Sequence, residues 1–138
     1  MTHPQQPSFD ASEQAALAEI SRRLHVQGWA VTVAWMLAEW HELSLSVDGY
    51  DFSVDDYTND LIARDGLEWA LAECQQPLRA KLLSWIEVAD REFIAGTQDD
   101  VDGALEHFCD VDESSGWWWK RRPATGPLAD FLTSRART

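Results

Sequence analysis

The side chains of this sequence able to carry acid–base, nucleophilic or metal chemistry are four histidines, two cysteines and twenty-four carboxylates. His3, His25, His41 and His107 stand in no HExxH, HxH or mixed Cys/His spacing, so metal catalysis lacks its ligands. Asp99-Asp100-Val101-Asp102-Gly103 has the alternating carboxylates and glycine that open an EF-hand loop. Its register fails: with Gly103 at the sixth position, Gln98 falls first and Cys109 twelfth, where calcium needs an aspartate and a bidentate glutamate. A solvated acidic loop is the better reading. His107 and Cys109 meet only over an extended backbone, and a cysteine nucleophile also needs an orienting base and oxyanion donors. GxSxG, Walker and GxGxxG patterns are absent from the sequence. The expectation is a protein with no catalytic residue, no metal and no cofactor.

What the sequence has in excess is indole and negative charge. Eight tryptophans occur in 138 residues. Trp29, Trp40 and Trp85 fall on apolar stripes and are assigned to the core, whereas Trp35 and Trp69 fall off them, where a large rigid ring suits a binding hot spot. Residues 39–113 carry twenty acids against Arg64, Arg79, Lys81 and Arg91, a local net of −16. From Lys120 onward Arg121, Arg122, Arg135 and Arg137 oppose only Asp130, so an acidic body ends in a basic tail. Such a body repels nucleic acid and attracts a basic protein. The candidate partner-binding residues are Asp48, Tyr50, Asp51, Asp55, Asp56, Asp60, Trp35 and Trp69. On a helix Asp60 and Arg64 lie four apart, acid first, and are expected to form an ion pair. Trp117, Trp118, Trp119 and Arg121 form an alternative site, an aromatic pocket for an anionic or aromatic ligand; in the blander alternative the indoles plug the core and the arginines pair with the acidic body.

The elements that must position these groups read as helices. Asp10 with Glu13 forms a capping box before Leu17, Ile20 and Leu24, giving a first helix over about 10–26 closed by Gly28. Trp29, Val33, Met36, Trp40, Leu43 and Val47 repeat at spacings of four and three, which predicts a continuous second helix; WAVTVAW, however, also alternates as a strand does. Ser53 with Asp56 opens a third helix that Gly66 is placed to bend, Pro77 a fourth running to Gly96, and Pro127 a last one. Residues 97–116 read as an acidic loop with at most one helical turn, and Trp117–Trp119 as a short extended segment. The fold class is thus mainly α, a single-domain bundle of about five helices over residues 10–138, behind a disordered tail at 1–9. Cys74 and Cys109 fit no disulfide framework, no stretch is apolar enough to cross a membrane, and no secretory signal opens the chain, so a cytoplasmic protein is expected.

The segments Tyr57-Thr58-Asn59-Asp60-Leu61 with Arg64-Asp65, Ala89-Asp90-Arg91 with Phe93, and Trp117-Trp118-Trp119 with Arg121 and Pro123 together resemble a group of small bacterial helical proteins of uncharacterised function, over roughly residues 35–125. In size, charge and exposed tryptophan the chain is also similar to the acidic immunity proteins of polymorphic and contact-dependent toxin systems. That resemblance implies a non-catalytic inhibitor that occludes a basic partner such as a bacterial toxin. Neither resemblance supplies active-site residues. The rival expectations are the aromatic pocket above, as a small-ligand protein or enzyme, and a self-associating structural or regulatory domain that dimerises through its apolar second helix.

Overall fold

A computed structural model describes residues 8–136. Residues 1–7, most of the expected tail and with them His3, lie outside the described residues, as does Arg137. Five helices, α1 (Ala11–Val26), α2 (Val33–Ser46), α3 (Val54–Glu73), α4 (Leu78–Ala95) and α5 (Pro127–Ala136), account for most of the rest. Two three-residue strands, β1 (Thr97–Asp99) and β2 (Arg121–Pro123), pair antiparallel with Thr97 opposite Pro123 and Asp99 opposite Arg121. The chain is therefore mainly α, and no described helix is long and apolar enough to cross a membrane.

Both capping boxes form: Asp10 Oδ1 accepts from the Glu13 backbone N–H at 2.8 Å, and Ser53 Oγ from that of Asp56 at 3.1 Å, each with the reciprocal bond made. They satisfy amides that a helix start leaves without partners. The apolar stripes of α2, α3 and α4 then meet around Trp40, Tyr57, Phe93, Leu67 and Ile86, all fully buried. Trp40 packs on Phe93 with ring centroids 4.7 Å apart.

Two local expectations are corrected. The stripe that begins at Trp29 becomes helical only at Val33, because the Thr32 hydroxyl accepts from the Trp35 N–H at 3.1 Å and so caps the helix there, while buried Ser21 Oγ takes the Val33 N–H. Residues 29–32 are neither helix nor strand. α3 runs unbroken through Gly66, which makes room for α2, since a Cβ there would lie 2.1 Å from Met36 Sδ. Trp117–Lys120 form a 3₁₀ turn, not an extended segment, and the strand follows it. The reason is the reach of two neighbours. Trp118 and Trp119 Nε1 both donate to Asp65 Oδ1 at 2.8 Å, and consecutive residues of a strand would point to opposite faces.

Candidate functional site

The segments with the most distinctive residue order assemble into one buried polar brace. Arg64, 4% exposed, donates from Nε and Nη2 to the two oxygens of Asp90 at 3.0 Å each, and from Nη1 to Glu68 at 2.7 Å. Its guanidinium lies 4.4 Å from the Trp118 ring centroid and 6.0 Å from that of Trp40, whose indole N–H also donates to Asp90 at 2.9 Å. Burial opposes the Arg64 charge, but the Asp90 and Glu68 carboxylates outweigh it and hold its pKa above the ordinary arginine value. Tyr57 completes the brace by donating its hydroxyl to the Arg121 carbonyl at 2.7 Å. In this way α2, α3, α4 and the 117–123 segment are tied through one shared set of hydrogen bonds and ring contacts.

The expected Asp60–Arg64 pair is accordingly not the one made. Arg64 reaches inward across to α4, and Asp60 instead accepts the Tyr50 hydroxyl at 2.8 Å. Tyr50, expected as an exposed anchor, is 4% exposed and packs edge-on against Tyr57 and Phe52. Arg121 does not line an aromatic pocket. It donates to Thr97 Oγ1 at 2.8 Å and to Asp99 at 2.7 Å, while Arg122 pairs with Asp102 at 2.9 Å and faces Asp100 at 3.5 Å. The basic tail thus folds onto the acidic 99–102 loop and neutralises part of it. Among the described residues no group of three or more His, Cys, Asp or Glu is placed to hold a metal. Burial pushes both thiols up, Cys109 further through Asp100, Asp110 and Glu106, which disfavours the thiolate a nucleophile requires.

What the brace leaves outward is a face on α2 and α3. Trp35 is 50% exposed and borders a groove of about 360 Å³ whose other walls include Trp29, Val31, Asn59 and Ile62. Glu39 and Glu42 follow Trp35 on α2 at helical spacing, and Asp55 precedes Asn59 on α3 by one turn. Asp51, Asp55 and Asp56 are exposed; Asp48 is exposed too, but accepts the Thr125 hydroxyl at 2.6 Å. Trp69 is half-buried and belongs to a different cleft, beside Trp117–Trp119. Ile62 was not legible as a surface candidate, because exposure of an apolar residue on a helix is set by neighbours that the stripe does not specify.

This face is under electrostatic strain. Burial raises the pKa of Glu39 and the nearby Asp60 and Glu42 charges raise it further. Burial likewise raises that of Asp60, with Asp56 adding to it and the Tyr50 hydrogen bond opposing. An acid whose folded pKa exceeds its unfolded value binds its proton more tightly when folded. Stability is therefore lost as pH rises from the ordinary carboxylate range through the raised folded values. Glu39→Gln is expected to raise Tm at neutral pH by on the order of 1–3 °C, the gain vanishing near pH ~4 where the wild-type acid is itself protonated. A calorimetric series across pH checks this; a lower Tm for the variant at neutral pH contradicts it.

Comparison with known proteins finds no family model, no curated protein and no solved structure that matches the chain. The functional reading therefore stands on the geometry of the face and the brace alone.

Proposed function

We propose that this chain is a non-catalytic acidic binding module whose α2–α3 face covers a basic protein partner, in the manner of an immunity protein or inhibitor that occludes a toxin's working surface. The observation that carries the reading is the juxtaposition on one face of a half-exposed indole, the groove it borders, and the mutually repelling carboxylates of Glu39 and Asp60. A partner's cationic groups would relieve that repulsion, and an apolar side chain of the partner would occupy the groove beside Trp35 and Ile62. Asp51, Asp55 and Asp56 would act through the field, raising the encounter rate more than the lifetime of the complex. Relative to the sequence expectation, the anchor is Trp35 with Ile62 in place of Tyr50, and Trp69 drops out of this face. Self-association through the apolar stripe of α2 has less support, because Val33, Met36, Leu37, Trp40 and Leu43 are buried within the molecule.

Affinity capture from the native host at low and moderate salt tests the reading. A basic protein should be retained, more at low salt. Trp35→Ala should weaken its binding by about thirtyfold, the effect of losing a hot-spot side chain worth ~2 kcal/mol. Neutralising Asp51, Asp55 and Asp56 together should slow association and flatten its salt dependence while leaving dissociation nearly unchanged. Recovery of no basic protein at either salt, or a bound partner indifferent to Trp35→Ala, would overturn it.

A further inference from the structure

A second cleft, of about 720 Å³, opens between α3 and the 110–119 segment, away from the α2–α3 face. Its lining includes the indoles of Trp69, Trp117 and Trp119 and the carboxylates of Asp65, Glu68 and Asp110, and includes no lysine, arginine or histidine. An anion is therefore repelled here. The Trp119 indole N–H is already given to Asp65 at 2.8 Å, which leaves this residue its ring surface to offer. Asp65 Oδ1 accepts a second indole N–H, from Trp118, and Glu68 is held by the Arg64 guanidinium at 2.7 Å. With Asp110 these two acids give the cleft a negative field. The fold already seats one cation on this indole cluster: Arg64 lies 4.4 Å from the Trp118 centroid on the inner side.

Electron-rich rings and fixed negative charge together select a cation, and the indole lining favours one with an apolar skin. Its methyl groups lose little hydration against indole, whereas a lysine ammonium would surrender much stronger hydration to reach the same rings. We propose that this cleft binds a quaternary ammonium head group. The inference does not rest on the α2–α3 face as a protein-binding surface, and either can stand without the other.

The test is calorimetric titration of the full chain with choline, with a short peptide bearing trimethyl-lysine, and with 3,3-dimethylbutan-1-ol, the uncharged carbon isostere of choline. Saturable one-site binding is expected for at least one of the two cations, the tighter of them identifying the natural source as a free small molecule or a modified protein. The isostere should bind at least tenfold more weakly, because the cation–π and carboxylate attractions are absent from it. Trp117→Leu should weaken the cation by roughly tenfold, and Asp110→Asn, at an exposed loop position that the fold does not depend on, by about threefold. Indole N–H resonances of Trp69 and Trp117 should shift on binding while that of Trp35 stays in place. Absence of saturable binding by either cation, equal binding of the isostere, or unchanged binding in both variants would overturn the proposal.

Discussion

Replacing Asp90 by alanine is expected to remove about 3–5 kcal/mol of stability, the range found when one partner of a buried ion pair is deleted. Three donors converge on this carboxylate: Arg64 through Nε and Nη2, and Trp40 through its indole. Without it the buried guanidinium keeps only Glu68, whose side chain is 57% exposed and so offers a screened and mobile counter-charge. A loss of this size is a large fraction of the 5–15 kcal/mol of a typical domain. Urea unfolding should show a much lower midpoint with an unchanged slope. The double replacement Arg64→Met with Asp90→Leu should recover part of the loss, since apolar groups of similar volume often substitute for a buried pair at little cost. Recovery should be incomplete, because the Trp40 N–H is then left buried without an acceptor, a deficit of roughly 1–3 kcal/mol. A loss below about 1 kcal/mol for Asp90→Ala would mean that the brace behaves as a surface pair.

Gly126→Ala is expected to cost about 3 kcal/mol, combining backbone strain with overpacking. Gly126 has φ +102°, a region that L side chains avoid, and a Cβ there would lie 2.5 Å from the Gly49 carbonyl carbon and 2.7 Å from its Cα. The close approach is what docks α5 on the turn after α2. Around it Gly49 donates its N–H to the Thr125 carbonyl at 3.1 Å, and Leu128 donates its own to the Tyr50 carbonyl at 3.2 Å. Gly49→Ala provides the comparison, because Gly49 also has a positive φ, +80°, but a Cβ there meets nothing within 4 Å. It should cost only the conformational part, about 1 kcal/mol. Equal losses for the two variants would show that strain alone is at work and that the contact between the two turns is not tight. Faster amide exchange in α5 for Gly126→Ala, with the remaining helices unaffected, would localise the defect.

These two positions show where the sequence could and could not be read. The helices were legible because capping residues and apolar spacing are local: Asp10 with Glu13, Ser53 with Asp56, and Pro127 each mark a boundary that the chain obeys. The β1–β2 ribbon was not, since each strand has three residues and each is defined by a partner some twenty residues away. The segments around Arg64, Asp90 and Trp118 stood out by composition, yet their pairing depended on tertiary placement. Asp60 was the neighbour at helical spacing, and Asp90, twenty-six residues on, was the partner chosen. The folding back of Arg121 and Arg122 onto Asp99 and Asp102 followed from charge asymmetry and is borne out. Exposure of Trp35 followed from its position off the stripe, while the burial of Tyr50 came from aromatic neighbours on another element, Tyr57 above all.

The distinctive polar residues hold the helices together, and binding is proposed for the outward α2–α3 face. Amide hydrogen exchange of the chain with and without its captured basic partner tests that division most directly. Protection should be gained over residues 29–42 and 52–62, with α4 and the 110–120 segment unchanged. Protection confined to α4 or to the 110–120 segment, with the Trp35 face exchanging as in the free protein, would contradict it.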